Sequence, residues 1–169
     1  RSTHCISSAA SDVYKRQSLY NHFNSLSDLH TALMLYGWKQ LEYRVMQAAI
    51  GKSKDDAIKS MCAAYLNFTL EHLGLFNIMQ SYNQHISQET IAATSGLIET
   101  IRQVLSAYNL SEKYEVHTIR VFRSFLQGYV YLVQHDSFGN SVSIRDSFNV
   151  GVGILLKGLK ENENIKLGK

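Results

Sequence analysis

The stretch Ser18-Leu-Tyr-Asn-His-Phe23-Asn-Ser25-Leu-Ser-Asp28-Leu29 decides how the rest of the chain is organised. It joins a short aromatic segment to a helix start. Ser25 and Asp28 have capping-box spacing, in which the hydroxyl covers an orphan amide and the carboxylate reaches back. The helix opened there can run to about Ala49, and Gly51 suits a left-handed exit. Its apolar residues fall on two stripes: Leu29, Leu33 and Tyr36, then Met34, Trp38, Leu41 and Val45. A helix apolar on more than one side is expected to be contacted on more than one side.

Further helices follow at short intervals. Ser53 and Asp56 repeat the capping spacing, and Ile58, Met61, Tyr65, Phe68 and His72 form a stripe that stops at Gly74. Leu75 to Gln80 predicts one or two turns. Ser87 is placed to cap a helix carrying Ile91, Ile98, Ile101, Leu105 and Tyr108, with Asn109 at its end. Ser111 caps the next, which carries Ile119, Phe122, Leu126, Tyr129 and Val133, with Val121, Phe125 and Leu132 on an adjacent face. His135 to Asn140 reads as a loop. Ser143 or Ser141 starts a last helix with Ile144, Phe148, Val152, Leu155 and Leu159. Gly151, Gly153 and Gly158 lie inside it, each costing about 1 kcal/mol relative to Ala, so close approach of a neighbouring helix is expected. No strand-period segment of useful length and no repeat interrupts the pattern, and Pro is absent. The fold class is therefore all-α.

The 169 residues suffice for one domain with a sizeable core, and a 45% hydrophobic, 18% charged composition is globular. No apolar run approaches the length of a membrane span. Residues 1–17 have a different character. They show no helical or alternating period, and Ser7 to Gln17 resembles the in-frame translation of a common transposon-based sequencing adapter. Residues 1–17 are accordingly expected to be a non-native, adapter-derived segment, excluded from fold reasoning, with the authentic frame beginning near Ser18. Without Arg1, Lys15, Arg16 and Asp12, the 17 basic and 14 acidic groups become 14 and 13, so the net charge falls from +3 to +1. The apparent basicity then says nothing about nucleic acid. Of Cys5 and Cys62 only Cys62 remains, and inside an apolar helical stretch it reads as a small core residue rather than a nucleophile.

Three stretches carry a resemblance to one family. Ser18-Leu-Tyr-Asn-His-Phe23, followed by a polar turn and a capped helix, resembles the end of the helix-turn-helix of TetR/AcrR-family bacterial transcriptional regulators. Ala64-Tyr-Leu-Asn-Phe-Thr-Leu-Glu-His-Leu-Gly-Leu-Phe-Asn-Ile-Met79 resembles a pattern in one branch of their ligand domains, and Asp146 to Leu159 resembles their last dimerisation helix. Together these stretches span Ser18 to about Glu161. Leu73 stands where the family usually has Pro, and Leu26 where its turn commonly has Lys, which removes one phosphate contact. The resemblance implies a TetR-like helical bundle of ligand-binding and dimerisation character. It would comprise a helix-turn-helix remnant at 18–33, a ligand-binding and dimerisation domain at 34–162, and a frayed polar tail at 163–169. The first two helices of the DNA-binding domain are expected to be missing, with the adapter segment in their place.

The resemblance also implies site residues. Tyr20 and His22 would contact DNA phosphates, and Ser18 phosphate or base; otherwise Tyr20 and His22 are surface residues without a role. Leu19 and Phe23 read as core. Tyr65, Phe68, His72, Phe76, Met79, Phe122 and Phe125 are candidates for a ligand pocket or for plain core. Ile119, Leu126, Tyr129, Ile144, Phe148, Val152 and Leu155 are candidates for a homodimer interface formed as a four-helix bundle, or else close the single-chain core. No two of the six His outside residues 1–17 lie at i, i+3 or i, i+4, so no metal or other cofactor is expected. There is no glycine-rich phosphate loop, nucleophile elbow or paired-carboxylate signature, so no enzyme is expected. The function implied is a cytoplasmic, ligand-responsive, DNA-binding regulator, a repressor released by a small hydrophobic effector. Its partners would be operator DNA and a second copy, with no membrane. The alternative is a helical small-molecule-binding or dimerisation module without DNA binding.

Overall fold

The computed structural model describes residues 22–81 and 88–162. They form six α-helices and one 3-10 turn, and no strand occurs among them. The helices are α1 (Leu26–Ala49), α2 (Lys54–Glu71), α3 (Leu73–Ser81), α4 (Gln88–Leu105), α5 (Glu112–Gln134) and α6 (Ile144–Glu161); the 3-10 turn Ser106–Tyr108 follows α4. The all-α expectation holds. The segment 1–17, Ser18, Tyr20, the Ser87 cap and the tail 163–169 lie outside the described residues.

Side-chain caps set three of the starts. Ser25 Oγ accepts from the Asp28 amide at 3.0 Å, Ser111 Oγ from Tyr114 at 3.3 Å and Ser143 Oγ from Asp146 at 3.2 Å. Each satisfies one of the amides a helix leaves open at its first turn. Ser53 takes the cap position of α2 without such a bond. Asp55 and Asp56 instead place negative charge at the positive end of that helix dipole. Gly51 leaves α1 with φ +73°, as its sequence position suggested, and Asn109 closes the 3-10 turn in the left-handed region. The break between α2 and α3 falls at His72, two residues before Gly74, which lies inside the first turn of α3.

Helix α2 is the centre of the bundle and packs against each of the other five. That explains why its buried residues, including Ile58, Met61, Tyr65 and Phe68, do not keep to one narrow stripe. On α1 the Met34/Trp38/Leu41/Val45 stripe is buried, whereas Leu29 and Leu33 are only half-buried and Tyr36 is exposed. Gly37 lets α1 approach α3, because a Cβ there would meet Met79 Sδ at 2.5 Å. Gly151 does the same for α6 and α5, where the Phe125 ring would lie 2.6 Å from a Cβ. A Cβ at Gly153 or Gly158 would meet nothing within 4 Å among the described residues, so the close approach expected at all three α6 glycines is seen there only at Gly151.

Candidate functional site

A cavity of about 170 Å³ lies between α1, α2, α4 and α5. Trp38 and Val45 line it from α1, and Ile58, Met61, Cys62 and Tyr65 from α2. Leu97, Ile101 and Leu105 form the α4 wall, and Ile119, Phe122 and Leu126 the α5 wall. Such a lining offers an apolar body dispersion contacts and relief from water, with little to hold a polar one.

The polar groups are few. Thr94, Thr118, Gln127 and Arg123 also line the cavity, and Arg123 is the one charged side chain among the lining residues described. Gln127 Nε2 donates to Gln80 Oε1 at 3.0 Å, tying α5 to α3 beside the cavity. Burial pushes the Tyr65 phenol above its ordinary range, and the nearby Arg123 guanidinium opposes that shift. Burial alone pushes the Cys62 thiol up to about 12, so the group stays protonated near neutral pH and behaves as a small core residue. Among the described residues no group of three or more His, Cys, Asp or Glu could hold a metal ion.

Of the seven residues expected at a pocket, the structure brings Tyr65 and Phe122 to the cavity. Phe68, Phe76 and Met79 are buried elsewhere, in the packing of α2 and α3. His72 lies exposed at the α2–α3 break, with its ring 5.0 Å from that of Phe68. Phe125 stacks on Phe148 at 5.5 Å between α5 and α6. For Phe76 and Met79 the physical reason is the break at His72, beyond which the stripe of α2 no longer continues on one face. The spacing put Trp38 and Ile101 on apolar stripes without marking them as cavity wall, and put Arg123 on none. The nearest available signal was Arg123 and Gln127, four residues apart beside the apolar stripe of α5.

The residues expected at a dimer face also divide. Ile119 and Leu126 line the cavity. Tyr129, Phe148 and Val152 are buried in the chain's own core, and Leu155 is half-buried. Tyr129 is held there by its hydroxyl, which donates to the Ile144 carbonyl at 2.5 Å, and by ring contacts to Phe125, Phe138 and Phe148. Only Ile144 faces outward, at 39% exposure. The outward apolar residues are Val121, Tyr131 and Leu132 on α5, and Val150 and Ile154 with Ile144 on α6. At the other end, His22 is exposed in a turn and Phe23 is half-buried.

These features define an all-helical domain with an apolar cavity at its centre and an uncovered apolar face on its last two helices. The pattern of the tetracyclin repressor-like C-terminal domain family matches residues 58–155, and the chain belongs to this family, whose members are transcriptional regulators rather than enzymes. The chain is 27% identical over 154 residues to the HTH-type transcriptional regulator YobS of Bacillus subtilis (strain 168), covering 88% of this chain and 78% of that one. It is 30% identical over 119 residues to the HTH-type transcriptional regulator Rv0681 of Mycobacterium tuberculosis, covering 70% of this chain and 55% of that one. The fold is similar to the solved structure of a protein of unknown function from Rhodococcus sp. RHA1, with a TM-score of 0.71 at 16% identity over 82% of this chain and 75% of that one. No described helix is long and apolar enough to cross a membrane.

Proposed function

We propose that the protein is a ligand-responsive, DNA-binding transcriptional regulator, a cytoplasmic repressor that a small hydrophobic effector releases from its operator. The observation that carries this is the path of α1. The helix begins at Leu26, just beyond the His22–Phe23 segment that resembles the end of a recognition helix, and its Trp38 and Val45 line the cavity. An effector in the cavity therefore touches the same rigid rod that leads to the DNA-binding end. If the effector prefers one arrangement of α1 against α2 and α4, it shifts the population toward that arrangement. In a two-fold dimer, such a shift changes the spacing of two recognition helices that must reach successive major grooves.

The dimer we propose pairs the outer faces of α5 and α6 with their two-fold copies. Val121, Tyr131 and Leu132 would meet Ile144, Val150 and Ile154 in a four-helix bundle. The exposed Gly128 on α5, with none of the described residues within 4 Å of a Cβ built there, would admit a close approach. Within the DNA-binding segment, Tyr20, His22 and Ser18 would serve as backbone contacts that position rather than specify.

The test is fluorescence anisotropy of labelled DNA from upstream of the gene, with protein expressed from its natural reading frame, titrated with and without a panel of hydrophobic small molecules. Tight, salt-sensitive binding that a panel member abolishes is the expected result. A natural protein that binds no DNA upstream of its own gene would overturn the proposal.

A further inference from the structure

The geometry points to an anionic effector: a small apolar carboxylic acid, its carboxylate held by Arg123 at the cavity rim and its hydrocarbon body between Trp38, Ile101 and Leu126. This deepens, and rests on, the proposal that the cavity is the effector site.

Three observations carry the inference. First, the described lining residues include one cation and no carboxylate, and Arg123 makes no ion pair with an acidic side chain among the described residues. A guanidinium presents a planar fork of donors that matches a carboxylate's two oxygens, and such charge-assisted pairs are stronger than neutral ones. Second, Arg123 is exposed, whereas the α5 residues beside it, Phe122 and Leu126, are half-buried against the apolar wall. A carboxylate placed deep among Ile58, Leu105 and Ile119 would lose its hydration with nothing to replace it. At the rim it keeps part of its water and gains the guanidinium, while the body is buried. The ligand that fits is therefore amphipathic, charged at one end only. A cationic amphiphile would meet like charge at the same place.

Third, size limits the body. An apolar cavity of roughly 150 Å³ accepts a benzene-sized ligand. The cavity here, about 170 Å³, is matched to a single ring or a short branched chain. The class is thus monocyclic aryl and short- to medium-chain carboxylates.

Trp38 supplies the readout, being the single tryptophan of the chain and a lining residue. The experiment titrates 3-phenylpropanoate and octanoate, and in parallel their uncharged primary amides, into the full-length protein at neutral pH while following Trp38 emission and the unfolding temperature. The wild type is expected to bind the acids about tenfold or more tighter than the matching amides, the size of one good charge-assisted contact. Arg123→Gln is expected to erase that preference by weakening the acids about tenfold while moving the amides less than about twofold. Equal affinity for acid and amide, with Arg123→Gln changing neither, would overturn the anionic class and leave the cavity as an effector site. If neither series alters Trp38 emission or the unfolding temperature at millimolar concentration, the effector-site reading falls, and this inference with it.

Discussion

Two faces of α5 carry apolar residues in sequence and meet opposite circumstances. Its inner face carries Ile119, Phe122 and Leu126, which wall a cavity. Its outer face carries Val121 and Leu132, which meet solvent in the single chain at 50% and 39% exposure. Between them, Phe125 and Tyr129 knit the helix to α6 through stacked and edge-on rings. One helix thus presents a loosely filled wall, a tightly packed seam and an uncovered surface within a single turn's rotation. Hydrophobicity fixes that each face avoids water; it does not fix what each face meets. Space to hold something else exists only where packing is left incomplete.

The largest effect belongs to the seam. Phe148→Ala removes a ring that is 1% exposed and touches both Phe125 and Tyr129. It is expected to cost about 3–5 kcal/mol, read as a lowered midpoint in urea unfolding. A loss below about 1 kcal/mol would mean that the seam is as loose as the cavity wall.

The glycines of α6 sharpen the same contrast. Gly151→Ala gains helix propensity but drives a methyl into the Phe125 ring, and a net loss of about 1–2 kcal/mol is expected. Gly153→Ala meets nothing among the described residues and is expected to stabilise by about 0.5–1 kcal/mol in the same unfolding assay. A cavity-wall change should reverse the pattern of costs. Ile101→Phe fills part of the cavity, so stability is expected to move by less than about 1.5 kcal/mol while effector-induced release of DNA weakens about tenfold or more. Anisotropy with saturating ligand reads the second quantity.

The smallest effect is electrostatic and ties α2 to α6. Burial pushes the Asp55 carboxyl up, but Lys160, 2.5 Å away, and the Tyr108 hydroxyl, which donates to it at 2.7 Å, outweigh that and hold it below its ordinary value. A depressed carboxyl contributes stability that is present above its unfolded value near 3.8 and is lost as pH falls through the folded value. Asp55→Asn is therefore expected to lower stability at pH 7 by less than about 1 kcal/mol, and the difference from wild type should begin to shrink as pH falls below 3.8. Thermal unfolding from pH 7 to pH 3 checks both points.

Much of the helix plan was legible in the sequence because local signals carry it. Ser25, Ser111 and Ser143 act where their spacing placed them, and Gly51 and Asn109 close the elements they punctuate. The division of labour among apolar residues was not legible, because it depends on which helix turns to face which. The stripe from Ile58 to His72 pointed to a pocket continuing into Phe76 and Met79, yet beyond the break at His72 those two are buried in packing, Phe76 edge-on against Tyr65, and line no part of the cavity. Tyr129, Phe148 and Val152 share the spacing expected of an interface, but aromatic stacking and the Tyr129–Ile144 hydrogen bond draw that stripe inward. Trp38 and Arg123 reached the cavity from helices read for other purposes, and only their long-range neighbours mark them.

The separation of the two α5 faces is tested most directly by sedimentation velocity of Val121→Asp beside the wild type at micromolar concentration. Val121 lies on the outer face and lines no part of the cavity. The account predicts a wild-type dimer and a monomeric variant that still unfolds cooperatively, because a charge buried among apolar residues at the two-fold seam has no partner there while in the free chain it stays in water. A wild type that sediments as a monomer, or a variant that remains dimeric, would contradict it.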